Sequence, residues 1–476
     1  MMQTLKCTFV RPTARLILLA ATLLVVPSLS LAQDLTKRAK PQEMPIAITN
    51  AVIHPVSGPP IARGYVLFDK GLITEVGPMD DGRVFIATVR QIDATGKHVY
   101  PGMISPYTQL GLAEIAAVRA SRDSNEAGDI SPEAVAASAV NPDSTLLPVT
   151  RSNGVLCAGV FPAGGSIPGR ASVIQLEGWT PEQLTIKRDA GLVVSWPLMR
   201  TITALWMDKS AEEQERDIRS RTRAIRDAFT TARSYLAARK ADPASLPVDL
   251  RWEAFAGTFG PDAKTRTPVF IEANEYDQIT AALAFAQEFG LRIVIVGGND
   301  APLAAAELKR LDIPVICNST HRVPRRDDSA YDEAYTLPAR LAKAGIRFAL
   351  ASGEETPHER NLPYVAAMAV AHGLDESLAI RSITLSAAEI LGVDAFIGSL
   401  APGKHATLII TDGPAMEITT NTTAAFIQGM EIDLRNKQSA LAEKYIEKYK
   451  DPRFAKPGND AKSTPGDAKA PADAPK

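Results

Sequence analysis

The sequence has little cysteine and little histidine. Its 476 residues include three cysteines and six histidines. Cys157 and Cys317 lie in separate short apolar runs that are typical of buried strands, so no disulfide framework is expected. Neither has a flanking histidine or helix start that would lower a thiol pKa. We therefore expect buried structural thiols rather than nucleophiles.

An excess of charge of one sign is also absent. The formal net charge is -2, and the lysines and arginines form no dense block. Nucleic acid is therefore not an expected partner. With 45% hydrophobic and 22% charged residues, the chain has the composition of a globular protein with one large core and an accessory domain.

The apolar run near the N-terminus is too short to cross a membrane. Leu16 to Val26 is about eleven residues, whereas a spanning helix needs roughly 20. Three basic residues precede the run, and a small-residue pattern ending at Ala32 follows it. This arrangement is typical of a secretory signal peptide cleaved after Ala32. We expect an exported protein, periplasmic or extracellular, with no membrane span after cleavage.

Strand and helix signals divide the rest of the chain. Short apolar runs separated by turns predict a β domain between Pro45 and Ile104, and a matching set recurs from Ala406 to Leu434. Between these sets, strand-like runs alternate with helical stretches such as Tyr276 to Phe289. Repeated β-then-α units predict a parallel sheet and favour a closed TIM-like (β/α)8 barrel. The helical stretch from Ser210 to Lys240 is expected to pack on the outside of this barrel.

The predicted organisation follows from these signals. It comprises a signal peptide over 1–32, the first part of a discontinuous β-sandwich over 33–100, the barrel over 101–400, the return part of the β-sandwich over 401–436, a C-terminal helix over 437–454 and a disordered tail over 455–476. Functional residues are expected just past the strand ends, for example Glu272, Gly297, Asn318 and Ser352.

Three segments are distinctive: IDATGKHVYPGMI, IEANEYDQITAALAFAQEFGLRIVIVGGNDA, and the long stretch from RNLPYVAAMAV to APGKHATLIITDG. Together they resemble the amidohydrolase superfamily and, within it, the imidazolonepropionase-like group. The resemblance implies hydrolysis of C–N bonds other than peptide bonds, with one or two divalent metals such as zinc activating a water. The family's ligands are a His-x-His pair after the first strand, a histidine at the end of each of two middle strands, and an aspartate after the last.

The positions that correspond to those ligands are all changed in this chain. They are Tyr107, Gln109, Glu272, Gly297 and Gly353. Tyrosine, glutamine and glycine cannot replace imidazole ligands at about 2.0–2.1 Å. We therefore expect no conventional metal site and no bound cofactor.

An altered site remains an alternative. His321 and His358 follow strands at the predicted mouth of the barrel, and with Glu272 and Glu354 they are weak candidates for a non-standard zinc site or for metal-free acid–base work. Asn299, Asp300 and Glu355 could line the same pocket. The competing interpretation is that these side chains are simply solvated.

Two main functional hypotheses follow. The first is an exported, inactive or non-standard amidohydrolase relative, a pseudoenzyme that binds a small molecule, self-associates, or pairs with an active relative. The second is an active hydrolase of C–N bonds in cyclic amides or peptide-like small molecules through the altered site. A structural role at the cell envelope is a third possibility that fits the predicted export.

Overall fold

The computed structural model describes residues 37–451 except 81, 205, 245, 263, 354 and 355. The predicted signal peptide and the predicted disordered tail lie outside the described residues, as do Glu354 and Glu355. Among the helices of the described part, none is long and apolar enough to cross a membrane.

The strands are β1 (Ile46–Ile53), β2 (Ile61–Asp69), β3 (Leu72–Pro78), β4 (Arg90–Asp93), β5 (His98–Pro101), β6 (Met103–Thr108), β7 (Val155–Val160), β8 (Gly169–Gln175), β9 (Thr185–Ser195), β10 (Val269–Ala273), β11 (Ile293–Gly297), β12 (Val315–Cys317), β13 (Phe348–Leu350), β14 (Leu408–Thr411), β15 (Thr422–Ile427) and β16 (Met430–Glu431). The α-helices are α1 (Leu146–Arg151), α2 (Pro181–Leu184), α3 (Ala211–Ala241), α4 (Leu250–Glu253), α5 (Tyr276–Phe289), α6 (Ala305–Arg310), α7 (Glu333–Ala344), α8 (Leu362–Ala371), α9 (Glu376–Ser382), α10 (Leu385–Leu391) and α11 (Lys437–Lys450). Short 3-10 helices span Arg119–Ser121, Ala136–Ser138, Ala301–Ala304 and Thr356–Asn361.

Strands from both ends of the described chain form one sheet. Its eight strands run in the order β16-β15-β14-β5-β1-β2-β3, and β4 also pairs with β1. The two ends meet where β5 pairs antiparallel with β14, with Tyr100 opposite Ile409. Phe68 and Phe426 pack edge to face in the buried core of this sheet. Backbone hydrogen bonds join all eight strands into one sheet, whereas the predicted sandwich would consist of two separate sheets.

The barrel sheet contains the other eight strands, in the order β6 to β13. Strands β9 to β13 are mutually parallel, as are β6 and β7, but β8 runs antiparallel to both of its neighbours. The predicted regular (β/α)8 pattern is therefore wrong at β8. The links from β7 to β8 and from β8 to β9 are too short for the crossover of a dozen or more residues that parallel neighbours require.

The barrel is nearly closed. Strands β6 and β13 lie at the two ends of the strand order, and no backbone ladder joins their described residues. We call the junction between β6 and β13 the seam. The barrel interior is filled by buried apolar side chains such as Ile104, Val193 and Ile295, as expected for a packed barrel core.

Helix α3 has the predicted amphipathic character. A capping box starts it, in which the hydroxyl of Ser210 accepts from the backbone N–H of Glu213 and the Glu213 carboxylate accepts from the backbone N–H of Ser210. Its buried residues include Ile225 and Phe229, and the Phe229 ring packs against Phe285 of α5. The prediction that this helix packs on the outside of the barrel is confirmed by these contacts.

Both described cysteines are buried and unpaired. Burial raises the pKa of Cys157 to about 12 and also raises the pKa of Cys317. Thiols of this kind are poor nucleophiles because the reactive species is the thiolate. The expectation that both thiols are buried and form no disulfide is therefore confirmed.

Candidate functional site

A cleft of about 300 Å³ opens at the carboxyl ends of the barrel strands. Parallel barrel strands place the residues that follow them at one end of the barrel, where such sites are built. The cleft is lined by Tyr107, Thr108, Gln109, Glu272, Asn274, Val296, Gly297, Asn318 and Gly353. All five positions that the family resemblance assigned to metal ligands are in this set.

Glu272, at the end of β10, is the centre of a hydroxyl network. The Tyr107 hydroxyl donates to its Oε1 at 2.7 Å, and the Ser195 hydroxyl donates to its Oε2. Ser195 is the register partner of Glu272 on the neighbouring strand β9. The Tyr107 ring packs against Phe161, which fixes the direction of its hydroxyl. Both carboxylate oxygens of Glu272 therefore already accept a hydrogen bond from the protein.

Three amide side chains form a network next to Glu272, and two of them, Asn274 and Asn318, line the cleft. Asn274 Oδ1 accepts from Asn299 Nδ2 at 2.9 Å and from Asn318 Nδ2 at 3.3 Å. This amide occupies the space in which a side chain at Gly297 would lie, since a Cβ at that position would be 2.3 Å from Asn274 Oδ1. The backbone of Gly297 also has a φ of 97°, which L side chains rarely adopt. The glycine therefore makes room for the amide network.

Part of the chain that lines the cleft matches a known protein family. Residues 277–437 match the model of the amidohydrolase family. The matched segment contains the cleft residues Gly297, Asn318 and Gly353, whereas Tyr107, Gln109, Glu272 and Asn274 precede it.

A comparison over most of the chain agrees with that match. The chain is 24% identical over 408 residues to the curated amidohydrolase tasK of Hapsidospora irregularis. Those residues are 77% of this chain, which spans only 39% of the length of that relative.

Solved structures support the barrel. An amidohydrolase from Thermotoga maritima MSB8 is 24% identical with a TM-score of 0.71, over 82% of this chain and 100% of that chain. A molinate hydrolase is 15% identical with a TM-score of 0.52, over 83% of this chain and 95% of that chain. At these identities the likeness establishes the fold and not the reaction.

Amidohydrolases usually bind a divalent metal, and the donors of this cleft do not fit one. Among the described residues that line it, Glu272 is the one carboxylate, and hydroxyl hydrogen bonds already engage both of its oxygens. Gly297 and Gly353 offer no side-chain donor. Across the described part of the chain, no three histidine, cysteine or carboxylate side chains form a group able to hold a metal. A zinc site normally needs three or four such ligands.

The predicted grouping of Glu272 with His321 and His358 is not found. Neither histidine lines the cleft. After β12 the chain turns at Ser319, whose hydroxyl accepts from the backbone N–H of His321, and desolvation lowers the pKa of the His321 imidazole. His358 is exposed on the 3-10 helix Thr356–Asn361. The cleft therefore contains Glu272 without either imidazole.

Asn299 and Asp300 have structural partners instead of a shared pocket. Asn299 supports Asn274, as described above. Both carboxylate oxygens of Asp300 accept from Arg326, at 2.9 and 3.0 Å, and one also accepts from the backbone N–H of Tyr276 at the start of α5. Burial raises the pKa of Asp300, but these hydrogen bonds outweigh it and the pKa lies below its usual range.

The sequence did not identify Ser195, Asn274 or Glu359. Ser195 is the last residue of β9, and Asn274 is the first residue after β10. A position at the end of a barrel strand is the same signal that identified Glu272 and Gly297. Glu359 gives no such signal, because it lies on the 3-10 helix after β13 and becomes notable only through complete burial.

Proposed function

We propose that this chain is an exported, non-standard amidohydrolase relative that binds a small polar molecule in its barrel cleft without a divalent metal. The observation that carries this proposal is the donor set of the cleft: five positions at the ends of four strands line it, and one of them is a carboxylate whose two oxygens already accept hydrogen bonds. Loss of a single ligand can be compensated, but loss of the whole set removes the activated water on which the family's hydrolysis depends.

The lining indicates the kind of ligand. Besides the carboxylate of Glu272, the cleft offers the hydroxyls of Tyr107 and Thr108 and the amides of Gln109 and Asn318. Such a lining exchanges hydrogen bonds with neutral groups, and the carboxylate repels an anion. A neutral or cationic small molecule therefore fits the cleft better than a carboxylate or phosphate ligand.

The metal test comes first. Purified protein equilibrated with zinc, manganese or iron should retain on the order of 0.1 metal ions per chain or fewer by elemental analysis, because one engaged carboxylate is not a coordination sphere. Glu272→Gln is the matched control, since it keeps the shape of the side chain and removes its charge. About one metal ion per chain that disappears in Glu272→Gln would contradict the proposal.

A second candidate is a working hydrolase of C–N bonds. The hydrogen bond from Ser195 to Glu272 favours it, because a carboxylate beside a hydroxyl is an arrangement that can accept a proton. The curated relative and the solved structures named above are also hydrolases by their names. Cyclic amides and peptide-like small molecules are the substrates to assay, and chelator-resistant turnover that is lost in both Ser195→Ala and Glu272→Gln would establish this candidate.

Three finer assignments belong to the same proposal. The distinctive segments of the sequence favour the imidazolonepropionase-like group within the family. The basic and apolar N-terminal pattern supports export to the periplasm or the medium. Pairing with a second copy or with an active relative would give a cleft without metal chemistry a role, and the exposed side chains of Trp206, Val323 and Tyr331 on loops that follow β9 and β12 suit such contacts.

A further inference from the structure

The seam of the barrel encloses a buried carboxyl group. Glu359 lies on the 3-10 helix Thr356–Asn361 and is 0% exposed. That helix packs against β6, on one side of the seam, and follows β13, on the other. The carboxyl group therefore lies where the two edge strands of the barrel lack a backbone ladder.

Hydroxyl groups from both sides face this carboxyl. Ser352, just after β13, donates to Glu359 Oε2 at 2.6 Å. Ser105 and Thr108 of β6 present their hydroxyls from the other side. Ser105 Oγ and Glu359 Oε1 are both buried, and neither has a hydrogen-bond partner among the described residues. Buried polar atoms are rarely left unpaired, and a protonated carboxyl can donate to a hydroxyl oxygen while its other oxygen accepts from Ser352.

No described charged group compensates a charge on Glu359. Burial raises the pKa of Glu359 to about 7, and the hydroxyls of Ser105, Ser352 and Thr108 oppose this only in part. On the elements packed against it, Arg151 of α1 is paired with Glu177, and the Tyr107 hydroxyl of β6 is bonded to Glu272. On its own helix and the one that follows, His358 is exposed, and Arg360 and Tyr364 are only partly buried.

The same hydroxyls belong to the walls of the cleft. Thr108 lines the cleft directly, and Ser352 precedes Gly353, which also lines it. Glu359 thus lies behind the wall that β6 and the chain after β13 form together.

We propose that Glu359 is a positioning residue that, as a neutral acid, joins β6 to the chain after β13, and that loss of its proton separates these two walls of the cleft. The direction of the pH dependence follows from the linkage between proton binding and stability. Because the folded protein holds this proton more tightly than the unfolded chain does, the seam is most stable at low pH and weakens as pH rises from the ordinary glutamate range through about 7.

Amide hydrogen exchange read by mass spectrometry tests this directly. After correction for intrinsic exchange, protection of residues 103–108 and 348–353 in the wild-type protein should fall as pH rises from about 4.5 to about 7, by at most about tenfold per pH unit, and should level off at higher pH. Residues 293–297 of β11 serve as the internal control and should stay constant. In Glu359→Gln, whose amide is uncharged throughout, protection at the seam should not change with pH.

A second variant keeps the test decisive if Glu359→Gln does not fold. Ser352→Ala removes a hydroxyl that favours the carboxylate, so it should move the midpoint of the wild-type loss of protection to higher pH. Constant wild-type protection across this pH range, the same loss in Glu359→Gln, or an unmoved midpoint in Ser352→Ala would each overturn the assignment.

Discussion

Replacing Glu177 with alanine should lower the free energy of unfolding by about 3–5 kcal/mol. Glu177 accepts from Arg151, and the two side chains are 2% and 0% exposed. Removing the carboxylate would leave a buried guanidinium with only the carbonyl oxygen of Leu176 as a described acceptor. Burial already lowers the pKa of Arg151, and Glu177 is the main group that opposes that effect, with a smaller contribution from Asp433. Urea denaturation at neutral pH measures the loss.

Two controls separate the burial of charge from the loss of an ion pair. Glu307→Ala breaks a pair with Arg310 whose side chains are 54% and 57% exposed, and should change the free energy of unfolding by at most about 1 kcal/mol. Replacing Arg151 with methionine and Glu177 with leucine together should cost far less than Glu177→Ala, since no charge is left buried. A loss below about 1 kcal/mol for Glu177→Ala would contradict the argument.

Placing a side chain at Gly297 should destabilise the protein strongly. Gly297→Ala requires a non-glycine residue at a φ of 97° and puts a Cβ within 2.3 Å of Asn274 Oδ1. Strained backbone of this kind costs about 1–3 kcal/mol, and displacing the Asn274 amide from Asn299 and Asn318 adds about 1–3 kcal/mol. We expect a total loss of about 2–6 kcal/mol in the free energy of unfolding, measured by urea denaturation.

Gly373→Ala is the matched control for this prediction. Gly373 has the same φ of 97°, and a Cβ there would meet nothing within 4 Å. It should therefore show the backbone cost alone. Equal losses in the two variants would mean that Asn274 yields freely. If the losses differ as expected, a histidine at position 297 would also displace the Asn274 amide. It would therefore disrupt the hydrogen-bond network of the cleft instead of adding a metal ligand to it.

Whether a helix or strand could be predicted from the sequence depended on whether nearby residues determine it. Helix α5 was predicted over the observed residues Tyr276–Phe289 because its limits are set by nearby residues: a capping box between Glu275 and Gln278 at its start, and Gly290 with a φ of 66° after its end. The direction of β8 was not predicted, because a single strand carries the same pattern in a parallel or an antiparallel sheet. Only the short links around β8 decide its direction.

The same distinction holds for the site. The family resemblance marked Tyr107, Gln109, Glu272, Gly297 and Gly353 one at a time, and the fold brought all five to one cleft. The hydrogen-bond partners of these residues were not evident from the sequence. Ser195 reaches Glu272 only through the register of β9 on β10, and Glu359 became apparent only because its helix buries it at the seam.

By itself, therefore, the sequence determined the class of fold and the limits of the helices with local caps, and it predicted replacement of the family's metal donors, because these depend on residue identity and short-range pattern. The tertiary structure alone decided that Asn274 fills the space beside Gly297, that Glu272 is held by two hydroxyls, and that a buried carboxyl lies at the barrel seam. Those contacts join residues far apart in the chain, and strand register and packing, which no local pattern encodes, bring them together.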